Sequence, residues 1–228
     1  MNWTNSSVSL LDAIDAPALI RKVELAARNC YKSEDRIAEG SAEKLIRNCI
    51  KRGHESVLEH GTVSFRFICS RDVSHQLVRH RMASYSQESQ RYCRYNTDDG
   101  VTFIVPYWAE EYVDKINNAV EDLKLLLSGE NLEAFWLLVD SCEAAEDAYI
   151  KMLEAGLKPE EARSILPNCT KTDIVCTMNI REIRHFIKLR SSAGAQPDIR
   201  SLAIKLRDLL IREGLGVFFE DLVDDKEA

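Results

Sequence analysis

The residues best suited to chemistry lie between Gln76 and Arg94, QLVRHRMASYSQESQRYCR. From Arg71 to Arg94 there are five arginines and no lysine, against the two acids Asp72 and Glu88, in a chain whose formal net charge is −7. Arginine offers a planar fork of donors that grips phosphate or carboxylate at two points, which lysine cannot do. Ser84, Ser86, Gln87 and Ser89 are interleaved with the cations. That mixture suits a phosphorylated ligand that also carries a polar ring, although a solvated helix end with surface arginines gives a similar run. Neither GxGxxG nor GxxxxGK[ST] occurs, so a nucleotide would have to be held by arginines and helix ends.

Other constellations are weaker. His54 and His60 flank Glu55 and Glu59, an arrangement that approaches metal-ligand spacing. No thiolate or third histidine stands at a motif distance, and no metal is expected. His54 is equally readable as a residue capping the end of a helix. Seven cysteines, scattered singly, point to free thiols in a reducing cytoplasm. A pI near 5.4 argues against nucleic-acid binding. The opening residues lack a basic, apolar leader, and no run approaches the ~18 apolar residues of a membrane helix.

The elements that must position these groups follow from periodicity and caps. Asp15 before Ala16 and Pro17 predicts a helix start, and Ser41 to Arg52 predicts a second helix stopped by Gly53. Gly61 to Cys69 alternates Val63, Phe65, Phe67 and Cys69 with polar residues, a strand with one buried face. Ser70 and Asp72 then open a helix on which Gln76, Arg79 and His80 share a face. If that helix persists, Arg79 and Arg81 point about 160° apart. The serine-rich segment after Arg81 reads as a loop, and Arg91 to Tyr95 as a strand. Asn96 to Gly100 predicts a turn, Val101 to Val105 a strand, and Ala109 to Leu127 and Leu132 to Ala155 two long helices. Phe135, Val139, Cys142, Tyr149 and Leu153 on the second of these suit a core or subunit interface. Pro159 opens a short helix, and Thr170 to Met178 alternates as a strand. Asn179 with Glu182 resembles a capping box opening a helix through Arg190, with Arg181, Arg184, His185 and Lys188 on its polar face. Pro197 starts the last helix, closed by Gly214. The fold class is α+β, a mixed or antiparallel sheet with flanking helices in a single domain spanning 1–228. Two of its strands run into short helices carrying arginine and histidine.

Arg79-His80-Arg81, seven residues and then Ser89 match the RHRx7S signature, and the chain resembles the flavin-dependent thymidylate synthases. The likeness extends over GHES and EH at 53–60, RHRMASYSQESQRY at 79–92, EEAR and LP at 160–167, and the Asn179-to-Arg190 helix with its preceding strand. It implies reductive methylation of deoxyuridine monophosphate (dUMP) to thymidine monophosphate. Methylenetetrahydrofolate would be the one-carbon donor, NADPH the reductant and bound FAD the hydride carrier, in a homotetramer with shared sites. It places Gln76, Arg79, Gln87, Ser89, Arg91, Arg163 and Arg190 around dUMP, with Arg190 polarising the pyrimidine. It places His54, Ser56, Arg79, His80, Arg81, Gln87, Asn179, Arg181 and His185 around FAD. From spacing alone, Arg190 is equally a salt bridge at a helix end. Ser89 lacks an adjacent base and reads as a hydrogen-bonding ligand rather than a nucleophile.

Departures from the family pattern are Gln87 where some relatives have Glu, His185 where some have Asn, and Gly194 where a histidine often stands. The last puts one adenine-side contact in question. Two readings from other classes compete: a silent nucleotide-binding protein that keeps the arginine pocket, and a flavin- and folate-dependent uracil methyltransferase acting on RNA. The negative net charge weighs against RNA, and the intact signature with Arg190 weighs against silence.

Overall fold

The computed structural model describes residues 1–95, 100–112 and 131–222. In chain order the described elements are β1 (Asn2–Thr4), β2 (Ser7–Leu10), α1 (Ala16–Asn29), α2 (Ser41–Lys51), β3 (Thr62–Ser70), α3 (Arg71–Leu77) and β4 (Ala83–Gln87). There follow β5 (Thr102–Ile104), α4 (Leu132–Glu154), α5 (Pro159–Ala162), β6 (Lys171–Asn179), α6 (Ile180–Arg190) and α7 (Pro197–Leu210). The contacts fall into two compact units. The first holds Met1–Ser7, Ile68–His75 and Gln87–Ile174; the second holds Val8–Phe67, Gln76–Ser86 and Val175–Ala228.

In the first unit β1 pairs in parallel with β5, Trp3 opposite Phe103. Alternate residues of these short strands are buried against the face of α4 that carries Phe135, Val139, Cys142 and Tyr149. Trp3 and Phe135 rings lie 6.2 Å apart at a tilt of 53°, within the range of centroid distances at which aromatic rings attract. The interior face of α4 is thus the one its periodicity predicts, with Leu153 packed at its margin. Gly156, at φ 95°, ends the helix region in a left-handed conformation that suits glycine. The turn expected at Asn96–Gly100 and the helix expected over Ala109–Leu127 lie largely outside the described residues, although Tyr107–Tyr112 is a 3-10 turn.

Most of a four-stranded sheet, in the order β2-β3-β6-β4, belongs to the second unit. Ile180 N donates to the Gly61 carbonyl at 2.9 Å and Ser64 Oγ meets Thr177 Oγ1 at 2.8 Å, so numbers rise on β3 as they fall on β6, which makes the pair antiparallel. Both strands alternate buried and half-buried side chains as their sequences predict. Phe65, Phe67, Phe186 and Leu202 are among the fully buried groups of this unit. Asp15 accepts from Ala18 N at 2.9 Å and caps α1, a contact worth about 1 kcal/mol. Gly61, just before β3, packs against the first residue of α6. A Cβ there would stand 2.9 Å from Ile180 Cγ1 and 3.4 Å from Val23 Cγ2, so only a glycine fits this approach.

Four expectations are corrected. Ala83–Gln87 is strand β4 rather than loop: it is an edge strand whose pattern never includes a buried position, so hydrophobicity gives no sign of it. Arg91–Tyr95 is turn and irregular chain, because Tyr92 N and Cys93 N both donate back to the Ser89 carbonyl. α3 stops at Leu77, and Arg79 and His80 continue in turns onto the Gln76 and Leu77 carbonyls, so the 160° divergence argued for a longer helix does not apply. Arg184, assigned to a polar face, is buried; its fork spans both Asp221 oxygens at 2.7 Å and also donates to the Phe218 carbonyl.

Candidate active site

In the second unit, α6 presents Arg190 from its last turn, the end of α3 presents Gln76 and the chain just after it presents His80. Arg190 Nε donates to His80 Nε2 at 3.2 Å, Nη1 to Gln76 Oε1 at 3.3 Å and Nη2 to the Gln76 carbonyl at 3.4 Å. All three acceptors are neutral, and no carboxylate among the described residues pairs with this guanidinium. Arginine carries five N–H donors, so those three bonds leave two for a ligand to engage. A charged fork fixed in place without a counter-ion is suited to stabilising negative charge that develops elsewhere.

His80 is 4% exposed. Because Nε2 accepts from Arg190, the ring proton sits on Nδ1, which faces Glu182 Oε1 at 3.3 Å. That contact is a close approach rather than an aligned hydrogen bond, and Nδ1 is otherwise without a partner. Burial first, then Arg190 and His185, bring the imidazole pKa down to about 4, so the ring is neutral near neutrality. Burial raises Glu182, with His185 opposing. The His185 and Phe186 rings lie 5.6 Å and 5.0 Å from that of His80 and hold its plane. Asn179 Oδ1 accepts from Glu182 N at 2.8 Å, capping α6. The reciprocal half of the expected capping box is not made, since the Glu182 carboxylate turns to His80.

His80, Glu182 and His185 offer ligand atoms within 4.8 Å of one another. A divalent ion there would have to displace the Nδ1 proton and sit close to the Arg190 cation, which this donor arrangement disfavours.

Three clefts in this unit hold the expected cofactor residues. Arg79, His80, Arg81, His185 and Arg190 line one of about 460 Å³. Asn179, Arg181, His185 and Arg184 line a second of about 580 Å³, and His54, Ser56 and Arg181 a third of about 410 Å³. His185 is common to the first two and Arg181 to the last two, so each neighbouring pair of clefts shares a lining side chain. Arg79 and Arg81 are exposed, and no carboxylate among the described residues pairs with either. Arg181 Nη1 instead lies 2.6 Å from Glu59 Oε1, a half-exposed pair of the weak surface kind that an anionic ligand can displace. Uncommitted cations with the hydrogen-bonding side chains of His54, Ser56, Asn179 and His185 beside them fit a dinucleotide carrying a diphosphate.

The remaining expected residues lie in the first unit. Gln87 Nε2 donates to Ser74 Oγ at 2.9 Å and Thr172 Oγ1 at 3.1 Å, which leaves its amide oxygen as the free end. Ser89 Oγ accepts from Arg91 N at 3.3 Å within its turn. Arg91 Nε pairs with Glu160 Oε2 at 3.2 Å, so this fork leans on α5, three residues before exposed Arg163. Among the thiols, burial pushes Cys69 and Cys176 each up to about 12, and neither is available as a nucleophile. Gln196 and Asp198 touch the Arg190 assembly without having been singled out in the sequence, and Glu182, which faces His80, stood out there only as a capping-box residue. Only the polarity of Gln196-Pro197-Asp198 at a helix start hinted at the first two.

The profile of the family described as thymidylate synthase complementing protein matches residues 10–213. A flavin-dependent thymidylate synthase of Thermococcus onnurineus is 39% identical over 174 residues, covering 75% of this chain and 63% of that protein. One of Geobacter sulfurreducens is 36% identical over 195 residues, covering 82% and 75%. The chain therefore spans less than two thirds of the first relative. Thymidylate synthase X of Helicobacter pylori, solved with FAD and dUMP, shares the fold: its TM-score is 0.72 at 24% identity, over 95% of this chain and 98% of that one.

Proposed function

We propose that this chain, which belongs to the flavin-dependent thymidylate synthase family, catalyses the reductive methylation of dUMP to thymidine monophosphate. The observation that carries the reading is the Arg190 guanidinium, held on His80 and Gln76 with no carboxylate among the described residues to neutralise it. Carbon 5 of uracil attacks an electrophile only when charge is pushed into the ring, and a fixed cation beside N3 and its neighbouring carbonyl oxygen stabilises that anionic form. In this route the pyrimidine is never attached to the protein, and Cys69 and Cys176, whose thiols burial raises, are not called on.

Arg79, Arg91 and Arg163 are assigned to the dUMP phosphate, and Gln76, Gln87 and Ser89 to its neutral groups, alongside Arg190. His54, Ser56, Arg79, His80, Arg81, Gln87, Asn179, Arg181 and His185 are assigned to FAD. When bound, FAD would supply the hydride, drawn from NADPH, that reduces the methylene unit donated by methylenetetrahydrofolate to the methyl level on the pyrimidine. The protein's share is orientation and charge. We further propose that the chain acts as a single domain in a cytoplasmic homotetramer. Among the described residues no helix is long and apolar enough to cross a membrane.

The test is thymidylate formation with FAD, NADPH, dUMP and methylenetetrahydrofolate, each omitted in turn. Product should vanish with every omission. Turnover without flavin, or a pyrimidine trapped covalently on a side chain, refutes the proposal.

A further inference from the structure

Arg190 owes its orientation to Gln76, and what orients Gln76 lies two residues further from any ligand. Gln76 Nε2 donates to Gln196 Oε1. Gln196 Nε2 in turn donates to Asp198 Oδ2 at 3.2 Å. A side-chain amide can present either end to a neighbour, but an ionised carboxylate only accepts. Asp198 therefore draws the Gln196 NH2 towards itself, which leaves Gln196 Oε1 facing Gln76. Gln76 must then offer its own NH2 to that oxygen, and its Oε1 is left to accept from Arg190 Nη1 at 3.3 Å. Turning Gln196 over sets NH2 against NH2 in the middle of the chain and an amide oxygen against the carboxylate. Turning Gln76 over sets oxygen against oxygen in the middle and an NH2 against the guanidinium N–H at the Arg190 end. One acceptor-only group thus fixes the polarity of three successive contacts.

The local fold makes this possible. Gln196 is the N-cap residue of α7, with φ −55° and ψ 135°, and Pro197 sets the first turn, so the helix start brings the residue-196 amide and the residue-198 carboxylate to one side. Both side chains are half-buried, where a misdirected amide costs more than it does in water. Gln76 also holds Arg190 Nη2 through its main-chain carbonyl at 3.4 Å, so the relay tunes one of two contacts from the same residue.

We infer that Asp198, acting through Gln196 and Gln76, is a positioning residue that sets the direction of the Arg190 guanidinium. The inference rests on the reading of Arg190 as the group that polarises the pyrimidine. Asp198 has an alternative duty, as an acid in the first turn of α7 where it complements the helix dipole. The two duties separate experimentally. Asp198→Ala removes both the charge and the acceptor. Asp198→Asn removes the charge and keeps an oxygen for Gln196 Nε2.

The FAD-loaded protein and both variants are compared for kcat and KM with dUMP, for melting temperature, and for hydrogen exchange of the Arg190 Nη protons by NMR, since it is Nη1 that Gln76 Oε1 holds. Positioning predicts that Asp198→Ala loses about tenfold in kcat with KM within about threefold. Its Nη protons should exchange markedly faster, and Asp198→Asn, whose amide can still turn its oxygen to Gln196 Nε2 but is not confined to doing so, should recover part of the kcat. The two variants should melt alike. Unchanged kcat and exchange in Asp198→Ala overturn the inference, as does Asp198→Asn failing as badly as Asp198→Ala, which would make charge the only issue. If Asp198→Ala does not fold, Gln196→Met interrupts the same relay without touching the carboxylate and must show the same kcat loss. A wild-type protein that makes no thymidylate sinks the functional reading instead. The exchange comparison then decides the relay: faster exchange in Asp198→Ala upholds it, unchanged exchange overturns it.

Discussion

Acidifying the protein should weaken it through His80 in a calculable way. The imidazole titrates at about 4 in the fold against an ordinary 6.5, because burial, Arg190 and His185 all disfavour its cation. A depressed histidine binds its proton more readily in the unfolded chain. The stabilisation from keeping it neutral is therefore complete above pH 6.5 and is lost as pH falls from there towards 4. Two and a half pH units correspond to about 3 kcal/mol at the limit, and at pH 5 the loss is about 2 kcal/mol. Urea unfolding at fixed protein concentration should then show a midpoint roughly 0.7–1 M lower at pH 5 than at pH 8, with m of about 2–3 kcal/mol/M. Glu182, raised by burial, works in the opposite sense. The control is accordingly His80→Gln, whose amide oxygen replaces the Nε2 acceptor without titrating and which retains Glu182. Should the wild type and His80→Gln lose the same stability between pH 8 and pH 5, the neutral, Arg190-bonded histidine is wrong.

Three further outcomes are expected. Arg190→Lys keeps the charge but cannot reach His80 and Gln76 together, and should lower thymidylate formation by about 100-fold or more while flavin absorbance per chain is retained. Arg184→Met leaves the Asp221 carboxylate and the Phe218 carbonyl without their donor, costing about 2–3 kcal/mol in denaturant unfolding. Glu160→Ala releases Arg91 from an exposed ion pair and should lower KM for dUMP by a few-fold, read from initial rates, if Arg91 grips the phosphate.

Much of this architecture was legible in advance because it is written locally. The alternation of Val63, Phe65, Phe67 and Cys69 and of Thr170 to Met178 specifies β3 and β6, since a half-buried strand repeats every two residues. Asp15 and Asn179 announce the starts of α1 and α6 through side chains that cap their own helices. What failed was non-local. β4 is held by its neighbour's backbone and buries no face, so its sequence of small polar residues looks like loop. Arg184 reads as surface until Asp221, thirty-seven positions later, is seen to receive it. Of the site, the basic residues and Arg190 stood out by type and by family likeness. The neutral groups that aim Arg190 did not, because glutamines and a helix-start aspartate have no spacing of their own and acquire meaning only from which end of each amide is turned to the next.

The crowding at Gly61 bears on how this sequence can drift. An alanine at 61 collides with the γ-carbon of Ile180, and valine at 180 would still carry branches at that distance from the helix. Substitution at the one site should survive in a mutant library only beside an alanine-sized residue at the other. Such a pair of compensating changes would be the genetic footprint of a single ångström-scale approach.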